Sequence, residues 1–156
     1  MRNRIGLIFT ALLVFMVSTA SAQVMDGREF NADENGLAIE GYDPVAYFTL
    51  GEATLGSPGI AAVHNGITFH FVSEEHRQLF AEDPEAYLPA YGAWCAWAAS
   101  RDSLATIDPL AFVVHDGRLF LNYNARLNRR FAGKLAENIR KADDNWPDLS
   151  QEAATQ

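Results

Sequence analysis

The sequence predicts an α+β fold in which a small antiparallel sheet, built from two β-hairpins, packs against several helices. The hairpins are predicted because Asn65-Gly66 and Asp116-Gly117 each separate two runs of alternating apolar residues, and such pairs supply the positive φ angles of a tight turn. Helical segments precede, separate and follow the hairpins, an order typical of α+β domains. Of the 156 residues, 49% are hydrophobic, which is enough for one core and one domain.

The domain itself is predicted over residues 37–149. Residues 1–22 have the features of a signal peptide: a positive start, an apolar run over 5–17 and a small-residue cleavage site. Residues 23–36 are polar and aperiodic, which predicts a flexible lead-in, and residues 150–156 are expected to form a tail. The protein is therefore predicted to be exported, to the periplasm or as a secreted protein. No membrane span is expected after cleavage, because no later segment is apolar enough.

The first half of the domain begins with a short strand over 37–39. Asp43 can cap the free N–H groups of a short helix that carries residues 45–48 and ends near Gly51, and Pro44 lies where its missing N–H costs nothing. The first hairpin then spans 61–71.

The turn of this hairpin sets its register. It places His64 opposite Ile67 and Ala61 opposite His70. After the hairpin, Ser73 can cap a helix that runs to Asp83-Pro84.

The second half begins with a helix that is expected from about Tyr91 to Ser100. A second hairpin follows over 111–123. Asn124 caps the last helix, which is expected to end at Trp146-Pro147. The alternation predicts that one hairpin face is buried, formed by Phe112, Val114, Leu119, Leu121 and Tyr123. The apolar stripe of the last helix is Leu127, Phe131, Leu135 and Ile139.

Charge excludes some partners. The net charge is −8, and it becomes −10 when Arg2 and Arg4 leave with the signal peptide. A nucleic-acid-binding protein or one bound to an anionic membrane would need the opposite sign. No phosphate-binding loop or dinucleotide fingerprint is present, so no nucleotide cofactor is expected.

Cys95 is the only cysteine, so no intramolecular disulfide can form. If a helix begins near Tyr91, Cys95 lies in its early turns, where the helix dipole favours a reactive or metal-binding thiolate. The alternative is a buried cysteine that behaves as a small apolar residue. His70 and His76 can be brought together by the turn at Ser73, although no zinc-binding spacing is present.

The last helix also carries a basic face opposite its apolar stripe. Such a face is ordinarily solvated, and the other interpretation is a docking surface for an acidic partner. Its residues are Arg126, Arg129, Arg130, Lys134, Arg140 and Lys141.

Four ordered segments of the chain resemble the YHS-domain family. The resemblance is closest to its exported branch, in which a Tyr-Gly-Gly-Tyr-Cys-Ala motif is followed by Asp-Pro and a hairpin. It extends from about Ile39 to Trp146. The segments that carry it are Gly41–Phe48, Thr68–Ser73, Asp83–Tyr87 and Tyr91–Ala96.

The resemblance implies chemistry at Cys95. Many family members handle metals through cysteines at positions where this chain has Ala46, Val72 and His76. Some exported members carry selenocysteine at the Cys95 position, which implies a nucleophile, a redox centre or a soft metal ligand. Ala93 and Trp94 depart from the glycine and tyrosine of the branch motif.

Three hypotheses follow. The first is a binding module in which Cys95, with His76 or His70, holds copper or another soft metal ion. The second is a redox enzyme that uses Cys95 as a nucleophile or peroxide-reactive centre and needs an external small thiol for reduction. The third is a non-catalytic scaffold with an inert buried cysteine. The residues leave open whether the protein is an enzyme and which protein partner it has.

Overall fold

The structure, a computed structural model, describes residues 29–155. The predicted signal peptide and the first part of the predicted lead-in lie outside the described residues.

The helices are α1 Ala46–Thr49, α2 Glu74–Glu82, α3 Ala96–Ala99, α4 Ala125–Gly133 and α5 Leu135–Ala153. The strands are β1 Ser57–His64, β2 Ile67–Phe71, β3 Asp108–His115 and β4 Arg118–Asn122. Short 3-10 turns lie at Ile39–Gly41, Pro84–Ala86 and Ala90–Ala93. The predicted α+β class is confirmed.

The two hairpins form two separate two-stranded antiparallel sheets rather than one sheet. In the first hairpin the predicted register is confirmed, with His64 opposite Ile67 and Ala61 opposite His70. The turn residues Asn65 and Gly66 have the positive φ angles, 50° and 80°, that the sequence predicts.

The buried face of the second hairpin differs from the prediction. Leu119, Phe120 and Leu121 are all fully buried, whereas Val114 and Tyr123 are 38% and 50% exposed. The reason is that β4 lies between two apolar clusters: Leu119 and Leu121 face the first, and Phe120 faces the second. A strand that is covered on both faces does not follow the alternation of a half-buried one.

The first cluster gathers α1, the first hairpin and α2, and its largest buried residues are Tyr47, Phe69, Phe71 and Phe80. The second cluster joins α3 and the last two helices, with Phe120, Phe131, Ala142 and Leu149. Trp97 packs against both clusters.

The predicted flexible lead-in is part of the fold from residue 29 onward. The Phe30 ring packs edge-on against Phe69, with centroids 5.7 Å apart. The Asn31 amide donates to the carbonyl of Gly92 at 2.7 Å. The expected strand over 37–39 is reduced to single bridges, including one from Leu37 to Thr68.

The helix expected from Tyr91 is replaced by a left-handed turn. Tyr91, Gly92 and Ala93 have φ angles of 58°, 54° and 61°, and α3 begins only after Cys95. Contacts to the start of the described chain hold this turn, since the Trp94 indole donates to the carbonyl of Glu29 at 2.9 Å. The left-handed region costs about 1–2 kcal/mol for each residue with a side chain, so such contacts are needed to stabilise it.

The predicted last helix is divided in two at Lys134, whose φ of −138° lies outside the helical range. The Asn138 side chain caps the end of α4 by donating to the carbonyl of Phe131 at 2.9 Å. The second helix, α5, continues through Pro147 to Ala153, so the expected end at Trp146-Pro147 is wrong. Leu149 and Ala153 are buried, and this packing offsets the helix hydrogen bond that a proline removes.

Candidate functional site: a buried thiol at the head of α3

Cys95 is fully buried in the first apolar cluster and occupies the residue before α3. Its sulfur accepts the backbone N–H of Tyr123, the residue directly after β4, at 3.2 Å. The thiol hydrogen points toward Oδ1 of Asn122, with 3.9 Å between sulfur and oxygen. As hydrogen-bond acceptor and as donor, the thiol is thus directed to groups inside the protein.

Burial raises the pKa of the Cys95 thiol above its ordinary value. Backbone N–H groups of Ala98, Tyr123 and Trp97 act in the opposite direction but do not offset the loss of solvation. The thiolate expected from a helix dipole is therefore not favoured. Burial is the main reason, and the dipole that opposes it is small because α3 has only four residues.

A chain of side-chain amides fixes the surroundings of the thiol. Asn122 is fully buried, and its Oδ1 accepts the Trp97 amide at 2.9 Å. Its Nδ2 donates to Oδ1 of Asn128 at 2.8 Å, and Nδ2 of Asn128 donates to the carbonyl of Phe112 at 2.9 Å. Asn122 thereby joins β4, α3 and α4 around the sulfur.

His76 lies in a different network, centred on Asp43. Its Nδ1 is 2.7 Å from Oδ2 of Asp43, and its Nε2 is 3.1 Å from Oγ1 of Thr49. Asp43 is fully buried and also accepts the amides of Val45 at 2.8 Å and Val72 at 2.9 Å. Both ring nitrogens of His76 therefore already have partners.

The predicted metal ligands Cys95, His76 and His70 do not form one group. Among residues 29–155, no set of three or more His, Cys, Asp or Glu side chains is placed to hold a metal ion. His70 lies in β2 opposite Ala61, half-buried. As they are arranged here, these side chains do not fit a shared soft-metal centre.

Two surface grooves lie away from Cys95. One of about 470 Å³ runs between the β3–β4 turn and α5, and one of about 250 Å³ runs past Pro89 and Trp146. Both are lined by Arg118, and neither is lined by Cys95.

Arg118 is itself held in a paired network. Its guanidinium binds both carboxylate oxygens of Asp143 at 2.8 and 3.1 Å, and the Tyr91 hydroxyl donates to the same carboxylate at 2.8 Å. Burial alone would raise the pKa of Asp143, but these hydrogen bonds lower it below its ordinary value.

Sequence reasoning missed Asn122 and the contacts of Asp43 with His76 and Thr49. A signal for Asn122 was present, because it is the polar residue that directly follows the apolar run Leu119–Leu121. The cap predicted at Asp43 is confirmed by its bonds to the amides of Val45 and Ala46, but its bond to a histidine 33 residues away has no local signal.

Comparisons with protein-family models, curated proteins and solved structures found no match. In residues 29–155, every helix is too short or too polar to cross a bilayer.

Proposed function

We propose that this protein is an exported, non-catalytic YHS-type domain in which Cys95 is a structural thiol. The observation that carries the proposal is the complete burial of Cys95, with its sulfur accepting the Tyr123 amide at 3.2 Å. Reactive cysteines are partly exposed and have a lowered pKa, and Cys95 has neither property. The thiol then acts as a small apolar residue that also links α3 to β4.

The surroundings of Asp43 support this proposal independently. The resemblance to the YHS family places metal-binding cysteines at Ala46, Val72 and His76. In this chain the Asp43 carboxylate accepts the amides of Ala46 and Val72 and contacts Nδ1 of His76. With the Val45 amide, which it also accepts, the buried carboxylate has four partners. This is a stabilising network, and removing His76 would leave the carboxylate with three.

The test is the rate at which iodoacetamide alkylates the protein, followed by mass spectrometry at neutral pH. A structural thiol is expected to react at least about 100-fold more slowly in the folded protein than in urea, because it must first be exposed by unfolding or local opening. Cys95→Ala serves as the unreactive control. Alkylation of the folded protein at the rate of a free thiol would contradict the proposal.

A thiol-centred function is the second candidate, as a soft-metal site or a peroxide-reactive centre. The observation in its favour is that backbone N–H groups converge on the sulfur, an arrangement that would stabilise a thiolate once the site opens. Titration with Cu(I) under native mass spectrometry separates the two candidates. A stoichiometric adduct that is lost in Cys95→Ala and weakened in His76→Asn would support the metal site. A sulfenic acid after peroxide would support the redox centre.

A further inference from the structure

Three arginines form an exposed cationic face on α4. Arg126, Arg129 and Arg130 are spaced i, i+3 and i+4, so they lie on one side of the helix, and all three are exposed. The opposite side of the helix buries Phe131. We call these three side chains the α4 arginine face.

The α4 arginine face differs from the other cations in having no partner within the described residues. Five other lysines and arginines are ion-paired with acids of the same chain, and the guanidinium of Arg101 lies 4.2 Å from the centre of the Trp97 ring. None of the three α4 arginines takes part in an ion pair or a cation–π contact within residues 29–155. The five paired cations are Arg77, Arg118, Lys134, Arg140 and Lys141.

The surrounding sequence keeps this face cationic. No aspartate or glutamate occurs between Gly117 and Ala136, although the chain has 20 acidic residues and a net charge of −8. Tyr123, directly before the cap of α4, is 50% exposed. Tyrosine and arginine are enriched among the residues that dominate protein–protein interfaces.

We propose that the α4 arginine face is a docking surface for a short, carboxylate-rich segment of another protein. Guanidinium groups bind carboxylates through two parallel hydrogen bonds, and the three side chains offer such forks along one helix. A helix of nine residues is about 14 Å long, so the surface matches a segment of a few acidic residues. The inference does not depend on the state of Cys95.

The charge of the rest of the molecule favours a protein segment over an extended polyanion. A membrane or a nucleic acid presents negative charge well beyond the length of α4, where it would meet the net negative protein. A short segment that contacts only α4 avoids most of that repulsion, because charges more than about 8 Å apart are screened at physiological salt.

The test is fluorescence anisotropy of a short fluorescein-labelled oligoglutamate peptide with the full mature chain at about 0.15 M salt. The test variant is Arg126→Gln/Arg129→Gln/Arg130→Gln. The control variant, Arg77→Gln/Arg140→Gln/Lys141→Gln, removes the same charge from cations that are already paired. Thermal unfolding of both variants establishes that they fold.

We expect the test variant to bind the peptide about tenfold or more weakly than wild type, and the control variant about twofold more weakly at most. Equal losses in the two variants would assign the binding to overall charge and would overturn the proposal. Absence of binding by wild type would do the same. Tighter binding to vesicles that contain anionic phospholipid than to the peptide would assign the face to a membrane instead.

Discussion

The thiol of Cys95 experiences two opposing effects at the scale of a single residue. Loss of solvent raises its pKa, and the backbone N–H groups around the sulfur lower it, with burial the larger effect. The folded state therefore holds the thiol proton more tightly than the unfolded state does. The protonated thiol's contribution to the free energy of unfolding is fully present below the ordinary pKa of a thiol. This contribution is lost as the pH rises above that value.

We therefore expect the free energy of unfolding to fall as the pH rises above about 9. Burial also raises the pKa values of Tyr47 and Tyr91, which add to the decline at still higher pH. Urea unfolding at several pH values measures the decline, and it should be shallower in Cys95→Ser, which has no titrating thiol. An equally steep decline in that variant would assign the whole effect to the tyrosines.

Asn122 is predicted to contribute more than an ordinary polar residue. Asn122→Ala leaves the backbone N–H of Trp97 and Oδ1 of Asn128 without their partner. We expect a loss of about 2–3 kcal/mol in the free energy of unfolding, measured in urea.

Asn145→Ala is the matched control for Asn122→Ala. Within residues 29–155 the half-buried Asn145 makes a single side-chain bond, to the carbonyl of Ala99, and its loss should cost about 1 kcal/mol. Similar losses in the two variants would show that the Asn122 network contributes no more than one bond.

The candidate site could be predicted only in part. The single cysteine and the caps at Asp43 and Ser73 are local features, and the structure bears out both caps. The burial of Cys95 depends on β4 and α3 packing together, contacts that no local pattern encodes. The sequence therefore identified the residue of interest but not its accessibility.

At the scale of elements, the left-handed turn at Tyr91–Ala93 depends on close contact with Glu29. A Cβ atom on Gly92 would lie 2.7 Å from the Glu29 carbonyl oxygen, and its φ of 54° disfavours any side chain. We expect Gly92→Ala to lower the free energy of unfolding by about 2 kcal/mol or more, measured in urea.

Gly133→Ala is the control for this substitution. Nothing lies within 4 Å of a Cβ atom added at Gly133, which belongs to α4. Its effect should range from neutral to a gain of about 1 kcal/mol, because alanine favours helix. If Gly92→Ala were as harmless as Gly133→Ala, the contact with Glu29 would not hold the turn.

The elements with local signals could be predicted, and those that rely on distant contacts could not. Both hairpin turns were identified because Asn-Gly and Asp-Gly set their own backbone conformation. The turn before Cys95 was taken for a helix because its stabilising bonds reach 62 residues or more along the chain, to Asn31 and Glu29. Likewise, α5 passes Pro147 because tertiary packing outweighs the local preference.

At the scale of the whole molecule, the fold has two apolar clusters with β4 and Trp97 between them. The second cluster includes Leu149, only 3% exposed, at a position where the sequence predicted the edge of the domain. We expect Leu149→Ala to cost about 2–3 kcal/mol in thermal or urea unfolding.

Leu110→Ala removes the same atoms from a side chain that is 65% exposed, and it should change stability by less than about 0.5 kcal/mol. Comparable effects of the two substitutions would mean that the end of α5 is not part of the core.

The bonds of Glu29 and Asn31 have a practical consequence for protein production. The carbonyl of Glu29 accepts the Trp94 indole N–H and lies against Gly92, so Glu29 itself occupies a crowded position. We expect an affinity tag fused directly before Glu29 to compete for this space and to loosen the turn that leads to Cys95. Tags are better attached after Thr155, which is exposed, or separated from Glu29 by a flexible linker.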